Sequence, residues 1–174
     1  TPSFLGFKTI ENQDLKQLVS YIDWTPFFRS WDLHGKYPEI LNDEVVGQEA
    51  TSLFIDAQNM LRKIIDERWL TAKARFGLFP VNSKGDDILV FDPYNHERES
   101  YRFITLRQQL EKRAGQPNIA LSDFIAPESF GFRDYMGSFC VTTGIGVEEI
   151  AQRYENQNDD YQSIMIKALA DRLA

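Results

Sequence analysis

Between Gln48 and Arg68 the apolar residues Ala50, Leu53, Phe54, Ala57, Leu61, Ile64 and Ile65 form one stripe, while Asp56, Asn59, Lys63 and Glu67 fall largely elsewhere. That spacing is the helical period and predicts one long core helix. The pattern then changes. Ala74 to Val81, Ile88 to Phe91 and Tyr101 to Leu106 are short apolar runs that read as strands. Ser83-Lys84-Gly85-Asp86 and Asp92-Pro93-Tyr94-Asn95 read as the turns between them. Short connections favour antiparallel neighbours, so a meander is expected. A chain that carries both patterns in separate stretches fits an α+β fold: helices packed around a twisted antiparallel sheet.

The remaining segments fill in this plan. Residues 1–10 suit a short extended segment around Phe4 to Ile10. Asn12 is placed to cap a helix through about Tyr21, with Leu15, Leu18, Val19 and Ile22 on one face. Asp32 to Asp43 reads as a loop, and so does the Gly- and Pro-bearing stretch from Ala114 to Phe132. Tyr135 to Thr143 reads as a further strand, ending at Gly144 and Gly146. Two helices follow, one marked by Val147, Ile150, Ala151 and Tyr154, the other by Tyr161, Ile164, Met165, Ala168, Leu169 and Leu173. The last stripe reaches the terminus with no Gly, Asn or Pro to stop it, so a helix cut short is expected. At 174 residues, without internal repeats or a linker, a single domain is expected.

Charge and composition narrow the partners. A net charge of −7 without long basic runs argues against nucleic acid. No apolar run reaches membrane-spanning length and no signal peptide is visible, so the cytoplasm is the expected compartment. The chain starts at Thr1 without Met, as an excised piece would. Its one cysteine, Cys140, rules out an internal disulfide and lies in an alternating stretch that predicts a buried, inert thiol.

Chemistry concentrates in Ile22-Asp23-Trp24-Thr25-Pro26-Phe27-Phe28, followed by Trp31 and Gly35-Lys36-Tyr37-Pro38. Thr25-Pro26 reads as a helix start, with Thr25 as N-cap and Pro26 at the first helical position. Asp23 then stands just ahead of the positive end of a short helix. Two readings are open: a helix-entry acid beside aromatics packed in a core, or a pocket for a cationic planar ligand. Elsewhere the bland readings prevail. His34 and His96 lack metal-ligand spacing and suit surface turns. Thr143-Gly144-Ile145-Gly146 has Glu149 where the third glycine of a dinucleotide fingerprint belongs, and reads as a strand-to-helix turn. Asp86-Asp87 suits a turn whose acids bond local N–H groups, and Asp159-Asp160 suits a helix entry.

The chain resembles the activation domain of cobalamin-dependent methionine synthase over essentially its whole length. The strings that carry the resemblance are Ile22 to Phe28, Gly35 to Pro38, Gly77-Leu78-Phe79-Pro80 with Asn82, Gly85-Asp86-Asp87-Ile88, Leu106-Arg107-Gln108-Gln109, and Asp159-Asp160-Tyr161 through Lys167-Ala168-Leu169-Ala170-Asp171-Arg172. The resemblance implies the N-terminal portion of one activation domain, truncated at Ala174. The family's Arg-x-x-x-Gly-Tyr signature lies beyond that point. It also implies a part in a methyltransferase, 5-methyltetrahydrofolate–homocysteine methyltransferase. The implied task is binding S-adenosylmethionine for reductive methylation of cob(II)alamin to methylcobalamin, with the fragment alone inactive.

Cobalamin would be held mainly by a neighbouring cobalamin-binding domain, and zinc only elsewhere in the enzyme. On this resemblance Asp23 contacts the amino group of S-adenosylmethionine, while Trp24 and Phe27 shape the wall. Glu149 and Asp171 face the corrin amides, and Lys36 helps dock a flavodoxin or similar reductase. The alternatives are a non-catalytic docking module for a flavodoxin-like reductase or a corrinoid protein, and a stand-alone domain that reactivates a separate corrinoid protein.

Overall fold

The structure is a computed structural model that describes residues 2–174. Thr1, part of the expected extended segment, lies outside the described residues. The α-helices in chain order are α1 (Leu15–Leu18), α2 (Trp24–Arg29), α3 (Gly47–Asp66), α4 (Val147–Glu155) and α5 (Asp160–Leu173), with short 3-10 turns between some of the elements. The strands are β1 (Gly6–Gln13), β2 (Thr71–Lys84), β3 (Asp87–Phe91), β4 (Glu99–Ile104) and β5 (Asp134–Ile145). The strands form one sheet of order β1-β2-β3-β4, with β5 paired to β2. The fold is therefore α+β with an antiparallel sheet, as the pattern predicts. None of the helices among the described residues is long and apolar enough to cross a membrane.

The chain divides into two compact units. The first holds the residues up to Thr9 and Arg75–Cys140, the second Ile10–Ala74 and Val141–Ala174.

In the first unit, β2 and β3 form a tight hairpin in which Lys84 pairs with Asp87 around Gly85 and Asp86. Gly85 has a φ of +62°, the conformation glycine adopts without steric cost. The register puts Val81 opposite Val90 and Ser83 opposite Ile88, then Val90 opposite Tyr101 and Ile88 opposite Phe103. Val81, Ile88 and Val90 are buried, and Phe79, Ile125 and Met136 pack on them. Asn82, next along β2, is also buried, and both ends of its amide are bonded. Its Nδ2 donates to the carbonyls of Ala126 (3.0 Å) and Phe132 (2.9 Å), and its Oδ1 accepts from Arg133. This one side chain ties three parts of the irregular 126–133 stretch to β2.

In the second unit, α3 buries most of the predicted stripe, Ala50, Leu53, Ala57, Leu61 and Ile64, with Met60 added, while Phe54 and Ile65 are half-buried at its edge. Trp24, Phe27 and Phe28 of α2 and Met165, Ile166, Leu169 and Leu173 of α5 belong to the same core. The α3 helix ends without the usual glycine. Arg68 takes a φ of +54° there, while the N–H of Trp69 bonds Ile64 O (3.0 Å) and that of Arg68 bonds Ile65 O (3.3 Å). These paired bonds satisfy the last carbonyls of the helix.

Four local expectations are corrected. First, Asp14 caps α1, accepting from the Lys16 N–H, because β1 continues through Asn12. Second, Asp23 caps α2, so Thr25 and Pro26 lie inside its first turn. A carboxylate is at least as good an N-cap as a threonine hydroxyl, and the first turn tolerates proline because its N–H groups lack helical partners. Third, Asp86 and Asp87 face arginines rather than their own turn. Asp86 Oδ1 accepts from Arg107 Nη2 at 2.7 Å, and Asp87 lies 3.6 Å from Arg102. Fourth, Cys140 is exposed. The alternation along β5 reads as one buried face, yet Gly137 through Thr142 are all exposed. The turn at Gly146 is as expected, with the residue at φ +101° between β5 and α4. Asp159 caps α5, accepting from the Gln162 N–H at 3.1 Å.

Candidate functional site

Asp23 is exposed at the entry to α2, and its Oδ1 accepts from the Thr25 N–H at 3.0 Å. The flanking rings point the other way. Trp24 is 7% exposed and Phe27 and Phe28 are 0% exposed. Trp24 meets Phe27 edge-on at 5.3 Å and Phe54 at 4.9 Å. Tyr37 stacks beside Phe28 and lies 5.4 Å from Phe54. The ring faces are thus occupied by other rings, which is core packing. What remains open to a cationic ligand is the carboxylate of Asp23, carried on a rigid aromatic base.

Thr25 does two things that sequence reading missed. Its N–H feeds Asp23, and its Oγ1 accepts from the Tyr37 N–H at 3.2 Å. This second bond fastens the Gly35–Pro38 segment, which carries Lys36, to the start of α2. Lys36 is exposed. Gly35 has no room for a side chain, since a Cβ there would come within 2.9 Å of Ile40. A hydrogen bond spanning twelve residues leaves no local pattern to read.

Glu149 and Asp171 fare differently from each other. Glu149 is exposed on α4 and pairs with Arg153 one turn on. Asp171 pairs with Arg172 and lines a groove of about 330 Å³ with Thr142, Gly144, Val147, Glu148 and Lys167. The acid that shares this groove with Asp171 is therefore Glu148, and Glu149 is not among its lining residues. Thr143 donates its hydroxyl to the carbonyl of Ala170, which anchors α5 beside the groove. Farther along the two helices, Glu155 accepts from Lys167 and Ser163, each at 2.8 Å. The Lys167 ammonium holds its carboxyl below the usual range, with the Ser163 hydroxyl adding to the effect.

A third cluster centres on Trp31 and Tyr161, whose rings lie 5.1 Å apart. Tyr161 donates to Asp56 at 2.8 Å. Burial, with the Asp56 carboxylate beside it, pushes the Tyr161 phenol up to about 12. His34 is exposed, and His96 Nε2 lies 3.2 Å from Pro93 O in its turn. Among the described residues, no three His, Cys, Asp or Glu side chains gather as a metal ion would require.

Comparison with known proteins adds two findings. The family described as vitamin B12 dependent methionine synthase, activation domain, matches residues 14–174. The fold is also similar to a crystal structure of the MetH reactivation domain bound to AdoHcy, with 48% sequence identity and a TM-score of 0.93. That match covers 99% of this chain and 52% of the solved one, so the chain spans about half the length of its solved relative.

Proposed function

The chain belongs to the vitamin B12-dependent methionine synthase activation-domain family, and on that premise we propose that it serves reactivation of the enzyme's cobalamin. The enzyme is a methyltransferase. The proposed task is to bind S-adenosylmethionine for reductive methylation of cob(II)alamin to methylcobalamin, the chain being the N-terminal portion of one such domain. The observation that carries this reading is the 48% identity, over 99% of the chain, to a reactivation domain bound to AdoHcy. AdoHcy is what S-adenosylmethionine becomes once its methyl group has left.

Asp23 fits such a ligand: its carboxylate is exposed and one of its oxygens is already oriented by a backbone N–H. In this reading it takes the amino group of the methionine end in a charge-assisted hydrogen bond. Asp171 and Glu149 are exposed acceptors suited to the amide N–H groups around a corrin. Asp171 has the better support because it lines a groove. Cobalamin, when bound, supplies the cobalt that takes the methyl group. Lys36, a cation on an exposed segment of a chain with net charge −7, would help dock an acidic reductase such as flavodoxin. Calorimetric titration of S-adenosylmethionine and AdoHcy, into this chain and into the full-length protein, tests the reading. Binding by the full-length protein supports it. If that protein binds neither, what remains is a non-catalytic docking module for a flavodoxin-like reductase or a corrinoid protein.

A further inference from the structure

We propose that Thr25 is a positioning residue for ligand binding, acting through Asp23 without touching the ligand. The proposal rests on the reading of Asp23 as the contact for the ligand's amino group. Three observations carry it. The Thr25 N–H holds Asp23 Oδ1 at 3.0 Å, which selects one orientation of the carboxylate. Thr25 Oγ1 accepts the half-buried Tyr37 N–H at 3.2 Å, and this is the polar bond between α2 and the Gly35–Pro38 segment. Tyr37 then lies among Trp24, Phe28 and Phe54, so the segment and the helix start are braced on the same rings.

Remove the hydroxyl, and the Tyr37 N–H loses its partner while the helix start loses its brace. The Asp23 carboxylate sits at that start, held among the described residues by one backbone bond. A site that holds its charged group in one orientation binds more tightly than one that must order it on binding. The hydroxyl of Thr25 is thereby coupled to affinity at the amino-acid end of the ligand, and to no other part of it.

The test uses the full-length protein with Thr25→Val, Thr25→Ser and Asp23→Asn, titrated well below their melting temperatures. Two probes are compared: S-adenosylmethionine, and 5′-methylthioadenosine, which lacks the amino-acid end. Thr25→Val is expected to weaken S-adenosylmethionine binding by about five- to tenfold, the scale of one hydrogen bond, and to leave 5′-methylthioadenosine unchanged. Thr25→Ser, which keeps the acceptor, should restore wild-type affinity even if its melting temperature differs.

Equal weakening of both probes by Thr25→Val would make the residue merely structural and overturn the proposal. So would unchanged affinity for S-adenosylmethionine in a folded Thr25→Val protein. If Thr25→Val fails to fold, Thr25→Ala, which also lacks the oxygen, takes its place with the same two probes and the same two overturning results. Asp23→Asn separates the two layers. If it weakens S-adenosylmethionine selectively while Thr25→Val does not, only the role of Thr25 falls. If it weakens neither probe, the reading of Asp23 falls, and the proposal with it.

Discussion

Arg107 and Asp123 meet in a two-pronged ion pair, Nη1 to Oδ2 and Nη2 to Oδ1, each at 2.7 Å. The same guanidinium reaches Asp86 Oδ1 and the carbonyl of Asn118, the latter at 2.8 Å. One side chain thus gathers the β2–β3 turn and the 118–123 stretch. Its fork matches a carboxylate in a way that lysine does not.

This cluster has a pH signature. Arg107, helped by the Ala120 N–H, holds the Asp123 carboxyl down to about 2, against an ordinary 3.8. The folded value lies below the unfolded one, so the stabilisation is complete above about pH 4 and is lost as pH falls towards 2. Asp123 is exposed and Arg107 half-buried, so added salt should reduce the effect. Melting curves from pH 5 to pH 2 are expected to fall less steeply for Arg107→Ala than for wild type. Amide exchange at Ile119 to Asp123 should also be faster in the variant at neutral pH. Identical slopes would show that the pair contributes nothing.

Asp23 now has two roles to separate, because it is both the α2 cap and the proposed ligand contact. Asparagine caps as well as aspartate, so Asp23→Asn should leave the melting temperature close to wild type. Affinity for S-adenosylmethionine in the full-length protein should drop by about one to two orders of magnitude, since a charged hydrogen bond is worth roughly 1.5–3 kcal/mol. Asp23→Ala should lose the affinity and about 1 kcal/mol of stability as well. An Asp23→Asn protein that binds like wild type would leave Asp23 with the capping role only.

Lys36 tests the docking proposal. In the full-length enzyme Lys36→Glu should slow reactivation by an acidic flavodoxin at low ionic strength. The difference should shrink at roughly 0.1 M salt and above, where exposed charges are screened over about 10 Å. A rate unchanged at low salt removes Lys36 from the docking surface.

Among the glycines, Gly146 leaves the least room for a methyl group. It sits at φ +101°, and a Cβ there would come within 2.5 Å of the Trp69 carbonyl oxygen. Backbone strain alone costs on the order of 1–3 kcal/mol, so Gly146→Ala should lower the midpoint of urea unfolding clearly. Gly144→Ala is the control, because its Cβ would meet nothing closer than 3.7 Å.

The parts of this fold that were legible in the sequence are those whose cause is local. The α3 stripe needs only its own spacing, and the Lys84–Asp87 hairpin needs only Gly85 at its turn. The capping of α2 was misread because Asp23 and Thr25 both suit that place, and spacing does not say which oxygen reaches an N–H. Asp86 was misread for a different reason: its partner, Arg107, is 21 residues away. The candidate site follows the same divide. Asp23 stood out through the string around it, while the grip of Thr25 on Tyr37 crosses a loop. Glu148 and Asp171 come together in one groove only through the packing of α4 on α5, which spacing along either helix alone does not show.

The exposure of Cys140 has a practical consequence. It is the chain's single cysteine and stands open to solvent on β5, beside Phe139 at 79% exposure. A maleimide dye will therefore attach to the folded chain one to one, without denaturant or engineered thiols. The same thiol allows two copies to be joined by air oxidation, so storage without a reductant should yield a covalent dimer on a non-reducing gel.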